Sequence, residues 1–203
     1  MTLSESGIKL NVLGVGSSMR QRSYSTSVLK LILSIAKGNM AETKLLDLRQ
    51  TNLPMLYSAR DDTDEIIQTT ELVKRADAFI LATPDYHGSM SGSLKNFLDY
   101  FWSEFAGKTF GYIVASHEKG LTVMDQMRTA VRQCYGWSLP YGISINPEED
   151  FDDKRELTNK KLSSRLDMMA RDLVVYGKLI RDQFVNDLLQ NVPVNTFAAY
   201  YKS

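Results

Sequence analysis

The feature that most limits how this chain can fold is a repeated change of period, in which apolar runs of strand length each give way to segments with helical spacing. Lys9 to Gly16 reads as a buried strand, and after a short polar turn Ser25 to Gly38 places Leu29, Ile32, Leu33 and Ala36 on one helical face. Thr43 to Leu48 reads as a second strand, Arg49 to Asp62 as a polar loop, and Thr63 to Arg75 as a helix. Ala78 to Thr83 is apolar throughout, as a strand buried on both faces must be, and stops at Pro84. Ser91 to Trp102 carries Leu94, Phe97, Leu98 and Phe101 at helical spacing, followed by a strand over Thr109 to Ser116 and a helix over Leu121 to Tyr135. A fifth strand is expected over Ser138 to Ile145 and a last helix over about Thr158 to Val185. Five strands alternating with five helices predict a doubly wound α/β fold, a five-stranded parallel sheet of order 2-1-3-4-5 with helices on both faces.

At 203 residues, 43% of them hydrophobic, the chain is expected to form one domain over 1–203, with a core over about 9–185 and a tail over 186–203. Lys plus Arg and Asp plus Glu are equal at 24 each, so no global field favours nucleic acid or an anionic membrane. The single Cys134 cannot pair within the chain, and with only His87 and His117 no thiolate or imidazole metal cluster is expected. No basic leader and no run of eighteen apolar residues is seen, so a reducing, cytoplasmic setting away from the membrane is expected. The acidic stretch Pro147 to Glu156, with six carboxylates, reads as a solvated connection. Aromatic residues along Phe97 to Trp102, at Trp137 and Tyr141, and in the tail from Phe197 to Tyr201 predict a homodimer or a dimer-paired homotetramer.

In such a fold ligands sit at the carboxyl ends of the strands, which nominates Ser17 to Ser25, Pro84 to Ser91 and Ser116 to Gly120. The first of these suits a phosphate. Helix N-terminal amides converge there, and Ser17, Ser18, Ser23 and Ser25 with Arg20 and Arg22 add side-chain donors. It is not a dinucleotide fingerprint, since Gly14 and Gly16 are followed by Met19 and Arg20, and no lysine completes a P-loop. The remaining common cradle holds a terminal monophosphate without a metal. In the second loop Pro84, Tyr86, Gly88 and Gly92 suit a flat heterocycle approached by backbone amides. His87 is open to two readings, a loop residue bonded to backbone or a proton donor.

These two loops resemble the NADPH-dependent FMN reductase family of flavodoxin-like proteins, closest to its arsenical-resistance flavoprotein and quinone or azo dye reductase members. The phosphate motif corresponds to Ser17-Ser18-Met19-Arg20-Gln21-Arg22-Ser23, continued by Tyr24 and Ser25, with only the leading glycine displaced. The second motif corresponds to Pro84-Asp85-Tyr86-His87-Gly88-Ser89, followed by Leu94-Lys95-Asn96. The resemblance implies an oxidoreductase that passes hydride from NADPH (or NADH) through bound FMN to a small acceptor such as a quinone, azo dye, metal ion or free flavin. It also implies that Ser18, Arg20, Ser23, Tyr24 and Ser25 hold the phosphate, and that Pro84, Asp85, Tyr86, His87 and Gly88 contact the ring system. Ser116, His117, Glu118, Lys119 and Gly120 are then expected at the pyrimidine edge, where many relatives have a glycine-rich loop instead. No catalytic acid or base is assigned. An electron carrier without its own hydride donor and a module that has lost flavin are the alternatives.

Overall fold

A computed structural model describes residues 9–57, 63–189 and 197–198. Its sheet is built outward from the most apolar runs. β1 (Asn11–Gly16), β3 (Ala78–Pro84) and β4 (Thr109–Ala115) lie side by side in parallel, because they are apolar on both faces and a central strand can bury both. β2 (Glu42–Asp47), exposed or half-buried except at Leu46, takes the edge beside β1, giving the predicted order β2-β1-β3-β4 with the fifth position beyond β4.

The fifth position differs from expectation. Instead of one strand over Ser138 to Ile145, two short strands pair with β4: β5 (Trp137–Ser138) and β6 (Ile143–Ile145). The Leu139 amide still donates to Phe110 O at 2.9 Å, and then Pro140, which has no N–H, interrupts the ladder.

Side chains alternate across the sheet. Val12, Ala78, Ile80, Ala82 and Ile113 face α1 (Tyr24–Gly38) and α7 (Lys160–Leu189), which add Leu29, Ile32, Leu166, Met169 and Leu173. Gly14 lies on that face, where an added Cβ would sit 2.6 Å from Leu33 Cδ1, so the glycine sets how closely α1 approaches. The opposite face is aromatic. Phe79 and Phe110 stack with centroids 4.7 Å apart, and Phe105 meets both edge-on at 5.3 Å.

That face is covered by α3 (Asp64–Arg75), α4 (Gly92–Asp99) and α5 (Leu121–Gln133). The helix expected over Ser91 to Trp102 stops at Asp99, and a 3-10 turn, Ser103–Phe105, follows, so that Phe101 and Phe105 both enter the core. The expected polar loop after β2 begins with a short helix, α2 (Leu48–Thr51), and is pinned to α4 by Asn96, which accepts from Leu56 N and donates to Pro54 O.

A cation lies under the aromatic face. Lys108 is 4% exposed, and its Nζ donates to Val73 O at 2.8 Å and Lys74 O at 3.2 Å, carbonyls of the last turn of α3. Burial, seconded by the Arg181 charge, lowers its pKa from 10.5 to about 8.

The acidic stretch after β6 is not simply a solvated connection. It contains α6 (Pro147–Asp150), and Asp150 is buried, accepting from Asn146 N at 2.7 Å and Asn159 Nδ2 at 2.6 Å. α7 runs past its expected end at Val185 to Leu189. Of the tail expected to reach a partner, Phe197 packs against Tyr135 and Phe184 of its own chain, and Ala198 is buried. The rest of that tail, 190–196 and 199–203, lies outside the described residues. Among the described residues no helix is long and apolar enough to cross a membrane.

Candidate active site

The first two loops are joined by hydroxyls. Where β1 leaves the sheet, Ser17 is fully buried, and both its amide and its hydroxyl donate to Ala82 O at 3.0 Å. Ser91 Oγ lies 2.8 Å from Ser17 Oγ, and Ser93 Oγ donates to Ser17 O at 2.7 Å, so the start of α4 is locked to the end of β1.

Beyond Ser17 the donors turn toward a cavity. Ser23 caps α1, its Oγ accepting from Thr26 N at 3.2 Å, and Ser25 Oγ lies 2.9 Å from it. The amides of Tyr24 and Ser25, which open the helix, have no acceptor among the described residues. Nor do Arg20 and Arg22 have a carboxylate within ion-pair distance among them. Free helix-start amides, hydroxyls and unpaired guanidinium groups form a donor set matched to a phosphate dianion.

The second loop is held by its own bonds. Tyr86 and Ser89 exchange backbone hydrogen bonds at 2.9 and 3.1 Å, with His87 (φ 57°) and Gly88 (φ 75°) at the tip in the left-handed region. That is the backbone of a primed two-residue hairpin turn, in which glycine is favoured and histidine is uncommon. Asp85 fastens the turn: Oδ1 accepts from Gly88 N and Oδ2 from Ser116 Oγ, each at 2.8 Å. From α5, Gln126 accepts from Ser89 Oγ at 2.9 Å and donates to Gly88 O at 3.0 Å, a support that no sequence motif flags.

The third loop follows from Asp85. Ser116, bonded to it, also accepts from Glu118 N at 3.0 Å. His117 is exposed, with Nδ1 3.8 Å from Glu148 Oε1. Lys119 (φ 61°) and Gly120 (φ 56°) then turn the chain into α5, with the Cβ position of Gly120 only 2.5 Å from Val114 Cγ1.

The three loops enclose a cavity of about 580 Å³. Of the residues expected at the site, Ser18, Arg20, Ser23, Tyr24, Ser25, Pro84, Asp85, Tyr86, His87, Gly88, Ser116, His117 and Glu118 all line it. Lys119 and Gly120 do not, because the left-handed turn carries them away toward α5. Arg22, read in the sequence as a donor of the first turn, lines it too, and Ala115, Pro147 and Arg155 line it in addition. The two from the acidic segment, Pro147 and Arg155, carried no signal in the sequence, since a charge run gives no sign of folding back. The volume suits a small cofactor, for which sites span roughly 300 to 1,000 Å³, and the donor set fits the phosphate of FMN. Among the described residues no group of three His, Cys, Asp or Glu side chains could hold a metal ion.

A family model described as NADPH-dependent FMN reductase matches residues 10–149. An NADPH azoreductase of Bacillus sp. (strain OY1-2) is 37% identical over 111 residues, covering 52% of this chain and 62% of that protein, so the chain spans less than two thirds of that relative. An FMN-dependent NADPH-azoreductase of Staphylococcus aureus is 30% identical over 146 residues, covering 66% of this chain and 75% of that protein. Among solved structures, the flavoenzyme NAD(P)H:(acceptor) oxidoreductase FerB from Paracoccus denitrificans superposes with a TM-score of 0.68 at 19% identity, covering 85% of this chain and 98% of that one. At that identity the likeness is one of fold.

Proposed function

The chain belongs to the NADPH-dependent FMN reductase family, and on that footing we propose that it is an FMN-containing oxidoreductase passing electrons from NADPH (or NADH) to a small organic acceptor, an azo dye or a quinone. The observation that carries this reading is the convergence of serine hydroxyls with helix-start amides and guanidinium groups that have no acceptor or carboxylate among the described residues, at one end of a cavity whose other end is walled by the bonded second loop. When bound, FMN would supply hydride and electron transfer.

The chain's residues bind and orient. Ser18, Arg20, Ser23, Tyr24 and Ser25 would hold the phosphate, and Pro84 to Gly88 would set the plane of the ring. Ser116, His117 and Glu118 would flank its edge, while Lys119 and Gly120 shape the turn behind them. Asp85 joins two of the loops, so a shift in one is felt in the other. We assign none of these residues as an acid or base.

The test is steady-state oxidation of NADPH by the flavin-loaded full chain with an azo dye or a quinone as acceptor. Acceptor loss matched to NADPH loss is expected, whereas FMN binding without NADPH oxidation would leave an electron carrier. Absence of FMN binding would end the reading altogether.

The same reading includes a single domain over 1–203, a cytoplasmic location and a homodimer or homotetramer. Both faces of the one sheet are covered, which supports the first, and the lone cysteine suits a reducing compartment. Trp102 at 66% and Trp137 at 52% exposure support association, whereas Phe97 and Phe101, counted toward an interface in the sequence, are buried in the chain's own core. One cooperative unfolding transition, cell fractionation and light scattering check the three in turn, and a monodisperse monomer at micromolar concentration would refute the last.

A further inference from the structure

Between α6 and α7 the chain forms a small hairpin whose tip reaches back to the start of α1. Phe151 and Leu157 bridge as antiparallel neighbours, and Asp152 N donates to Glu156 O at 3.0 Å. Asp152 Oδ1 accepts from Glu156 N at 2.8 Å, closing the loop over residues 151–157. At its tip Arg155 has φ +67°, a left-handed conformation that is costly for a residue with a long side chain.

What holds Arg155 there lies 133 residues earlier in the chain. Its guanidinium carbon sits 3.7 Å from the centroid of the Tyr24 ring, and Nη2 donates to Arg22 O at 2.8 Å. Phe151 packs on the same tyrosine with centroids 4.7 Å apart. One of five guanidinium donors is therefore committed to a carbonyl, and among the described residues no carboxylate pairs with the others. Arg155 lines the same cavity as Arg20 and Arg22, which likewise have no carboxylate partner among the described residues. Three like charges around one helix start repel one another unless an anion lies between them. Packing alone does not account for the arrangement, since Phe151 already seats the hairpin on Tyr24.

We propose that Arg155 is a ligand of the cofactor's terminal phosphate, delivered by the 151–157 hairpin to complete from the far end of the chain the cradle that the first loop begins. The inference rests on the FMN reading above. It assigns to this hairpin a share, beside the first loop's, of the discrimination between a flavin that ends in a phosphate monoester and one that ends in a free hydroxyl.

The test is titration of the flavin-free full chain with FMN and with riboflavin, followed by flavin fluorescence, for the unsubstituted protein, Arg155→Asn and Arg155→Lys. Asparagine tolerates the left-handed backbone, so Arg155→Asn keeps the turn, and far-UV circular dichroism checks its fold. Loss of one charge-assisted contact should weaken FMN about tenfold to a hundredfold in Arg155→Asn while riboflavin stays within about twofold, with Arg155→Lys in between. Equal losses for both flavins would make Arg155 a merely structural strap and overturn the proposal, as would an unchanged FMN dissociation constant. A shift confined to the NADPH-to-NADH ratio of KM would assign the residue to a different phosphate monoester and overturn it as well. If the unsubstituted protein binds neither flavin, the cofactor reading has failed and the inference falls with it. If it binds FMN normally and Arg155→Asn does too, only the inference fails.

Discussion

The two ends of the cavity are built on opposite plans. At the ring end the loops are fastened by their own bonds: Asp85 bonds Gly88 and Ser116, Gln126 bonds Ser89 and Gly88, and the Tyr86–Ser89 turn closes on itself. At the phosphate end the strong groups are open, the Tyr24 and Ser25 amides having no acceptor and Arg20 and Arg22 no carboxylate among the described residues. A self-satisfied region keeps its shape without a ligand, whereas a region of unpaired donors and like charges gains most when an anion arrives. Affinity should therefore reside at the first loop, and geometry at the second and third.

The difference can be broken at either end. Removing Ser18 and Arg20 together by alanine should cost roughly 3 kcal/mol of FMN binding, somewhat over a hundredfold in Kd, with stability of the flavin-free chain within about 0.5 kcal/mol of normal. A loss of stability matching the loss of binding would show that the phosphate end is held by its own bonds after all. Asp85→Ala should do the reverse, costing about 2 kcal/mol in urea unfolding of the flavin-free chain by unbinding the Gly88 amide and the Ser116 hydroxyl. Unchanged stability would remove the ring end's claim to be preorganised.

A third measurement separates both ends from a charge that belongs to neither. Lys108 is harder to protonate in the fold, at about 8 against 10.5, so between those values the unfolded chain binds more protons and stability rises with pH. The gain should be about 1 kcal/mol over the first pH unit above about 8 and should vanish in Lys108→Met. A slope that survives the substitution would have to come from another group. The smallest effect is expected at Lys119, which does not line the cavity, so Lys119→Ala should leave the FMN Kd within about twofold, as for a surface substitution. A tenfold change would bring the third loop into the phosphate end's share of affinity.

Where apolar periodicity governs, the sequence is a sufficient guide: the buried central strands and the two covered faces follow from runs such as Ala78 to Thr83 and the spacing of Leu94, Phe97 and Leu98, and the strand order from the alternation of strands with helices. The three loops follow as well, because topology sends the carboxyl ends of parallel strands to one edge. Local departures come from single residues. Pro140 splits the fifth strand, and the left-handed pair Lys119-Gly120 carries only the end of the third loop away from the cavity, leaving Ser116, His117 and Glu118 on its wall. What stayed illegible is long-range polar pairing. Asp150 looks like one of six solvated carboxylates until Asn146 and Asn159 are seen to enclose it, and nothing in a charge run marks Arg155 as the residue that returns to Tyr24. Lys108, likewise, has no sequence sign that the end of α3 is waiting for it.

Comparison of FMN with riboflavin on the unsubstituted, flavin-free chain, in one buffer and by flavin fluorescence, bears on all of this at once. The two ligands share the ring and differ in the phosphate, so their affinity ratio reads the phosphate end alone. With several charge-assisted contacts at the first loop, FMN should bind at least about a hundredfold more tightly than riboflavin. Equal affinities would mean that the first loop does not hold the phosphate, and that the division between an affinity end and a geometry end is wrong.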